Sequence, residues 1–188
     1  MKVEKILEKR IPDVRYLYDM GNVLYDKKWA KKEKNVPLYF MYRGIIKRGG
    51  LRYDITVIPP RLLGKEFVKT KGHRHLKARE KYTVLKGKAI FLLQKYNEKK
   101  DKLEKVIAIG AKKGESISIP PLWDHITINP CKKFTLVLSN WIPENAKSDY
   151  SILQKKKGAA YFYTLDGWIK NKNYKDIPKL EIKKAVSK

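Results

Sequence analysis

The segment from Gly72 to Gly87, GHRHLKAREKYTVLKG, decides the fold, because it sets two histidines, a glutamate and a glycine at a recognisable spacing. His73 and His75 stand two residues apart, and side chains at i and i+2 of an extended strand point to the same face. Both imidazoles can therefore contact one ion. Glu80 follows His75 by five residues and Gly87 follows Glu80 by seven, which gives the pattern H-x-H-x4-E-x6-G.

The third histidine of the chain lies in a second segment, which runs from Gly114 through the residues PPLWDHITIN to Asn129. Together the two segments resemble the paired signature motifs of the cupin superfamily. In that family two antiparallel segments of a small β-barrel converge on one metal ion. The resemblance implies four metal ligands: His73, His75, Glu80 and His125. Leu122 stands where the general pattern has a glycine, so we expect a different turn before the last ligand.

Each of these histidines also has a plainer interpretation, as a surface pair or as a half-buried core residue. Here every histidine of the 188-residue chain falls into this one pattern, and we therefore interpret the group as a metal site. Imidazole and carboxylate ligands suit Fe²⁺, Mn²⁺, Ni²⁺ or Zn²⁺, and ligand type does not choose among them. We expect one divalent ion per chain, with Fe²⁺ as the first candidate.

Short runs of β-branched and aromatic residues, separated by glycine and proline, fill the chain from Pro37 onward. They predict strands at 38–46, 53–58, 81–85, 89–96, 105–109, 116–119, 126–128 and 134–141. Within 116–119, polar and apolar residues alternate, which is typical of a strand with one buried face. Strands at this spacing predict an all-β sandwich or barrel. The resemblance narrows this to a cupin-like double-stranded β-helix, a jelly-roll barrel with N-terminal and C-terminal extensions.

The chain divides into three predicted parts: an N-terminal extension at 1–36, the cupin barrel at 37–170 and a basic C-terminal tail at 171–188. The extension is partly helical, with a short helix around 26–35, and we expect it to cover the barrel without joining the core. Residues 161–168 predict a late hairpin, in which Asp166-Gly167 supplies a type I′ turn. We expect the last dozen residues to be loose.

Charge is the strongest compositional feature of the chain. Lysine and arginine number 44 against 19 acidic residues, which gives a formal net charge of +25 and favours contact with phosphates or anionic surfaces. Only eight of the basic residues are arginines, the type that specific nucleic-acid recognition uses most. The composition therefore indicates a lysine-rich surface, and we expect no specific nucleic-acid partner.

Cys131 is the single cysteine, so the chain has neither an internal disulfide nor a multi-cysteine zinc site. The first ten residues, MKVEKILEKR, contain no apolar stretch of the length that a signal peptide needs, and no later run is long enough for a membrane span. We therefore expect a cytoplasmic protein without a membrane contact.

Within the superfamily the chain is similar to the cupin-type phosphoglucose isomerases of archaea. The similarity covers roughly residues 50–155, and its most specific part is TKGHRH at 70–75, with further matches at 55–60, 119–125 and 148–150. That family interconverts glucose 6-phosphate and fructose 6-phosphate, a step of glycolysis and gluconeogenesis. The resemblance implies the same aldose–ketose isomerase activity here, and a homodimer.

The resemblance also implies five substrate contacts: Thr56, Thr70 and Gly72 at the phosphate, Tyr82 close by, and Tyr150 completing the sugar pocket. Hydroxyl and backbone donors bind a dianion without a fixed cation, and glycine lets the backbone approach closely. Glu80 is the candidate catalytic residue, which would move a proton through a cis-enediol. A metal-bound carboxylate is a poor base, however, so a hydride shift between C1 and C2 stays open.

Two departures from the family bear on function. Ile142 stands where a pocket tyrosine is expected, and the segment between His75 and Glu80 is two residues shorter. A lost hydroxyl can change substrate affinity or identity, because a sugar site discriminates through its hydrogen bonds. The alternative function is therefore a metal-binding cupin of another role, either an oxygenase or a non-catalytic sugar-binding protein.

Overall fold

The computed structural model describes residues 3–185 of the chain. The strands of this part are β1 (Asp13–Tyr16), β2 (Pro37–Arg48), β3 (Leu51–Ile58), β4 (Leu62–Leu63), β5 (Glu66–Phe67), β6 (Glu80–Lys86), β7 (Lys88–Asn97), β8 (Lys102–Lys112), β9 (Ser116–Ile119), β10 (Trp123–Ile128), β11 (Leu136–Pro143), β12 (Tyr161–Thr164), β13 (Gly167–Lys170) and β14 (Glu181–Lys184). The helices are α1 (Val3–Leu7), α2 (Leu17–Met20), α3 (Lys27–Lys32) and α4 (Ser151–Lys155), with a 3-10 turn at Gly21–Val23.

Two sheets form the barrel. One has the order β1-β2-β3-β11-β6-β9, the other β10-β7-β8-β14, and a small third sheet has the order β13-β12-β5-β4. From β6 to β11 the chain crosses repeatedly between the two large sheets, which is jelly-roll connectivity. Leu38 and Val84 of the first sheet and Phe91 of the second belong to one buried apolar cluster, so the sheets face each other across a shared core. The predicted all-β, cupin-like double-stranded β-helix is confirmed.

All eight predicted barrel strands are present, with ends shifted by a few residues. The strands that the sequence did not predict are β1, β4, β5 and β14. β4 and β5 are two residues long, and β1 and β14 are rich in charged residues, so none carries a strong hydrophobic pattern. β14 pairs in parallel with β8, which makes our expectation of a loose tail wrong for that strand. The part of that tail at 186–188 lies outside the described residues.

The predicted short helix near the N-terminus is confirmed as α3, where the Asp26 carboxylate accepts a hydrogen bond from Trp29 N at 2.8 Å. The expectation that this segment only covers the barrel is wrong. Leu17, Met20 and Leu24 are fully buried and belong to the same apolar cluster as the barrel strands. Their three- and four-residue spacing is the signal of a helical apolar face. The three-part division of the chain stays a prediction.

The late hairpin is confirmed as β12 and β13, but its turn is not of type I′. A type I′ turn needs positive φ at both central residues, Leu165 and Asp166, and neither has it. Gly167, the first residue of β13, takes the positive φ of +92° instead. A two-residue turn followed by a left-handed glycine is the arrangement of a G1 bulge.

Among the helices of residues 3–185, none is long and apolar enough to cross a membrane.

Candidate metal and substrate site

The two histidine-bearing segments meet as a short antiparallel bridge inside the barrel. His73 N donates to His125 O at 3.2 Å, and His125 N donates to His73 O at 2.9 Å. His75 extends from the same side of the first segment, and Glu80 is the first residue of β6. The backbone pairing therefore sets the first and second motifs side by side, as the resemblance implied.

The structure brings all four sequence-predicted ligand residues together, with one ligand atom of each within 4.8 Å of the others. Glu80 Oε2 lies 3.2 Å from His125 Nε2, 3.3 Å from His75 Nε2 and 4.0 Å from His73 Nε2. His73 Nε2 and His75 Nε2 are 3.0 Å apart. Three of the residues are buried and His73 is partly exposed toward a cavity. A compact set of three imidazoles and one carboxylate suits a divalent transition-metal ion.

Two atoms of this cluster supply an independent test of whether an ion fits. Glu80 Oε2 and His125 Nε2 are both buried, and although they lie 3.2 Å apart, neither makes a hydrogen bond of acceptable geometry within residues 3–185. Buried polar atoms are nearly always hydrogen-bonded, because an unpaired one keeps its full desolvation cost. A cation between the carboxylate and the imidazoles would satisfy both atoms at once. The residues present therefore fit a metal ion.

Neighbouring polar groups hold the ring and carboxylate orientations. His75 Nδ1 lies 2.8 Å from Lys147 O, and a carbonyl only accepts, so Nδ1 carries a proton and Nε2, which faces Glu80, is the ligating nitrogen of the neutral ring. Asn140 Nδ2 donates to Glu80 Oε1 at 2.7 Å, which leaves Oε2 directed at the imidazoles. No local motif marks Asn140 in the sequence, because its position opposite Tyr82 depends on the register of β11 against β6.

The electrostatics at Glu80 and His73 favour the forms that bind a cation. Burial alone would raise the pKa of Glu80, but the close approach of the His125 and His75 imidazoles outweighs it and holds that pKa well below its usual range. Burial, followed by the neighbouring His125, lowers the pKa of His73 well below its usual value. An ionised carboxylate and a neutral imidazole are the states in which these side chains ligate metals.

Leu122 corrects one expectation about the second motif. We expected a different turn in place of the usual glycine, but Leu122 has φ of +67°, in the left-handed region that favours glycine. Its N–H donates to His75 O at 2.8 Å, and its side chain is exposed. The turn thus keeps a glycine-like backbone and ties the second motif to the first.

A cavity opens beside the four clustered residues, and all five sequence-predicted substrate residues line it: Thr56, Thr70, Gly72, Tyr82 and Tyr150. Thr127 N donates to Thr70 Oγ1 at 3.0 Å, which leaves the Thr70 hydroxyl hydrogen able to donate to a ligand. The Gly72 N–H has no acceptor within the described part of the chain. Two donors are thus available at one corner of the cavity.

Gly72 is also required by packing. Its φ is +79°, and a Cβ there would lie 2.4 Å from Ile126 Cγ1 and 2.7 Å from Leu153 Cδ1. Any other residue would combine backbone strain with overlap against the core. The close approach of substrate that we expected is therefore not the only reason for a glycine here.

The cavity also contains residues that the sequence did not single out for it: Arg15, Tyr39, Met41, Arg43, Arg52, Asp54, Asn140 and Ser148. Arg52 Nε donates to Asp54 Oδ2 at 3.0 Å, and Ile142, which we noted as a departure from the family, lines the same wall. Most of these residues lie on β1, β2, β3 and β11, whose registers bring them together. No local motif marks them in the sequence.

Comparison with known proteins gives a consistent result. A family model described as glucose-6-phosphate isomerase matches residues 40–179. Glucose-6-phosphate isomerase of Thermococcus litoralis is 34% identical over 158 residues, which is 80% of each chain. The proteins of the same description from Pyrococcus furiosus and Thermococcus kodakarensis are 34% and 30% identical, and cover 80% and 88% of this chain and 80% and 84% of their own.

Proposed function

Because the chain belongs to the glucose-6-phosphate isomerase family, we propose roles for its residues in the interconversion of glucose 6-phosphate and fructose 6-phosphate. This membership decides against the alternative of an oxygenase or a non-catalytic sugar-binding cupin. The proposed metal ligands are His73, His75, Glu80 and His125. The single observation that carries this proposal is the pair of buried atoms Glu80 Oε2 and His125 Nε2, neither of which makes a hydrogen bond within residues 3–185.

The phosphate is proposed to bind at the corner formed by Thr56, Thr70 and Gly72. The Thr70 hydroxyl and the Gly72 N–H are available donors, and hydrogen bonds to a dianion are among the stronger kind. Tyr82 and Tyr150 are proposed to orient the sugar, which places C1 and C2 toward the cluster of histidines. The Tyr150 ring lies 5.7 Å from the His73 ring, so a bound sugar has an aromatic wall on that side.

Aldose–ketose isomerisation moves hydrogen between C1 and C2 while negative charge develops on O1 and O2. A bound divalent ion supplies Lewis-acid polarisation of those oxygens. Glu80 is the proposed base for the proton, with one oxygen held by Asn140 and the other facing the imidazoles. The low pKa of Glu80 keeps its carboxylate ionised but makes it a weak base, and a hydride shift between C1 and C2 therefore competes with proton transfer. In a hydride shift, Glu80 would act only as a metal ligand.

Further features of the proposal follow the family resemblance. We expect one divalent ion per chain, with Fe²⁺ first and Mn²⁺, Ni²⁺ or Zn²⁺ as alternatives. The homodimer, the cytoplasmic location and the absence of a specific nucleic-acid or membrane partner remain predictions. The substrate is a sugar phosphate.

Two variants separate phosphate binding from the chemical step. If Thr70 binds the phosphate equally in ground state and transition state, Thr70→Ala raises KM by about ten- to a hundredfold with little change in kcat. Glu80→Gln removes the base and an anionic ligand, so kcat should collapse at saturating fructose 6-phosphate. Steady-state kinetics, with metal content measured on each variant, checks both expectations.

Two control variants lie outside the cavity: Thr135→Ala, a half-buried threonine, and Glu104→Gln, an exposed glutamate. Both should keep the kinetics of the unmodified protein. Equal effects of Thr70→Ala and Glu80→Gln, confined to KM, would remove Glu80 from the chemical step. A Thr70→Ala variant with unchanged KM would remove Thr70 from the phosphate site.

A further inference from the structure

From the N-terminal strand β1, Arg15 brings into the substrate cavity a cation that has no ion-pair partner among residues 3–185. Its side chain lines the cavity, and its Nε is buried without a hydrogen-bond partner within residues 3–185. It forms no ion pair with any carboxylate in the described part of the chain. A buried guanidinium N–H that lacks an acceptor is costly, so an acceptor that arrives with a ligand would be strongly favoured.

The carboxylates nearest to β1 are engaged elsewhere. Asp13 Oδ2 accepts from Arg43 Nε at 2.8 Å, and Asp19 Oδ2 accepts from Tyr16 N at 2.9 Å. Within residues 3–185 no carboxylate therefore forms an ion pair with Arg15, and Asp19 acts on it only through space. The positive charge is left facing the cavity.

The pairing of β1 with β2 brings Arg15 to the corner of the cavity where we propose that the phosphate binds. Arg15 lies opposite Tyr39, and the Tyr39 hydroxyl accepts a hydrogen bond from Lys71 N at 3.1 Å. Tyr39 thus connects Arg15 to the segment that presents Thr70 and Gly72. All of these residues line one cavity.

A second cation stands at the same corner. Lys71 Nζ lies 5.7 Å from the centre of the Tyr150 ring and forms no ion pair with a carboxylate of the described chain. Burial, and then the charge of Arg15, lower the pKa of Lys71. Two neighbouring cations that form no ion pair within residues 3–185 indicate a site for an anion.

We propose that Arg15 is a phosphate-binding residue of this site, donating through its guanidinium to the dianion held by the Thr70 hydroxyl and the Gly72 N–H. Arginine suits this role because its planar donors match phosphate oxygens. The proposal rests on the proposed function, and it adds a substrate contact from β1, which precedes the segment at 40–179 that matches the family model. The N-terminal segment would then be part of the binding site.

The test compares Arg15→Gln and Arg15→Lys with the control Arg10→Gln. Arg10 is an exposed arginine of the same segment, and its side chain donates to Ile45 O at 3.3 Å. Isothermal titration with glucose 6-phosphate should show binding weakened about ten- to a hundredfold in Arg15→Gln, less in Arg15→Lys and not at all in the control. KM for fructose 6-phosphate should rise in parallel while kcat stays nearly constant.

Inorganic phosphate serves as a second probe, because its binding needs no turnover. If the metal-loaded protein binds inorganic phosphate through Arg15 but isomerises nothing, the proposed function fails and this inference stands. If folded Arg15→Gln and Arg15→Lys bind both ligands as the unmodified protein does, this inference fails and the isomerase proposal is untouched.

An experiment on the unmodified protein keeps the test decisive if Arg15→Gln does not fold. The ¹⁵N-labelled Nε–H resonance of Arg15, identified by its absence from the spectrum of Arg15→Lys, should shift on titration with inorganic phosphate and saturate with the calorimetric Kd. A resonance that does not move at saturating phosphate would overturn the proposal.

Discussion

At the scale of single residues, the orientation of one carboxylate depends on one amide. Asn140 is buried on β11 and donates to Glu80 Oε1 at 2.7 Å, while Oε2 of the same carboxylate faces three imidazoles. Without that donor Glu80 could rotate or place both oxygens differently. Groups that hold ligands in this way affect metal affinity without touching the ion.

Asn140→Ala should therefore weaken metal binding by about 10–100-fold, because Glu80 loses the hydrogen bond that fixes it. Competition with a chromogenic chelator, using Mn²⁺ and Zn²⁺, measures the change. Asn97→Ala is the matched control, since Asn97 Nδ2 donates to Glu104 Oε1 at 2.8 Å on the protein surface. Equal metal affinity of Asn140→Ala and the unmodified protein would show that Asn140 does not position Glu80.

At the scale of elements, a buried ion pair on the barrel forms hydrogen bonds that join the N-terminal segment to it. Lys69 Nζ lies 2.6 Å from Glu66 Oε1 and donates to Val23 O at 2.9 Å, and Tyr25 N donates to Glu66 Oε2 at 2.9 Å. Burial raises the pKa of Glu66, and the charge of Lys69 opposes that rise. Each charge is therefore tolerated only while the other is present.

Lys69→Met should lower the free energy of unfolding by about 3–5 kcal/mol, because it leaves a buried carboxylate without its counter-charge. Urea denaturation at neutral pH measures the loss. The control is Lys65→Met, which removes an exposed lysine paired with Asp166 at 3.0 Å and should change stability far less. Similar losses in both variants would mean that the Lys69–Glu66 pair does not hold the segment.

The pairing of strands also explains which residues of the site could not be predicted from the sequence. His73, His75 and Glu80 lie close in the chain, so a local spacing was enough to group them, and the strands were visible as apolar runs. Asn140 and Arg15 reach the same cavity only through pairing between distant strands, β11 with β6 and β1 with β2. Such registers are set by long-range packing, which leaves no local pattern at either residue.

At the scale of the whole molecule, the outstanding property is the net charge of +25. Many of its lysines are exposed and unpaired in the structure, and the surface pairs that do form, such as Lys47–Glu144 at 2.9 Å, leave a large excess of positive charge. Such a surface attracts polyanions by counterion release, which is independent of base sequence.

We expect the protein to bind RNA at low salt, with affinity that falls steeply as salt rises. Filter binding with two homopolymers of equal length, across a salt series, measures the slope and any preference. Both RNAs should behave alike. Sequence-selective binding that persists at ~0.2 M salt would instead establish a specific nucleic-acid site.

The isomerase activity and its dependence on a metal ion are tested together by one coupled assay. The protein is stripped with a chelator until elemental analysis finds no metal, and formation of glucose 6-phosphate from fructose 6-phosphate is followed before and after Fe²⁺, Mn²⁺, Ni²⁺ or Zn²⁺ is added. We predict that turnover falls with removal of the metal and returns with at least one of these ions at about one per chain. Unchanged turnover in the verified metal-free protein, or no turnover with any of the ions bound, would contradict this account.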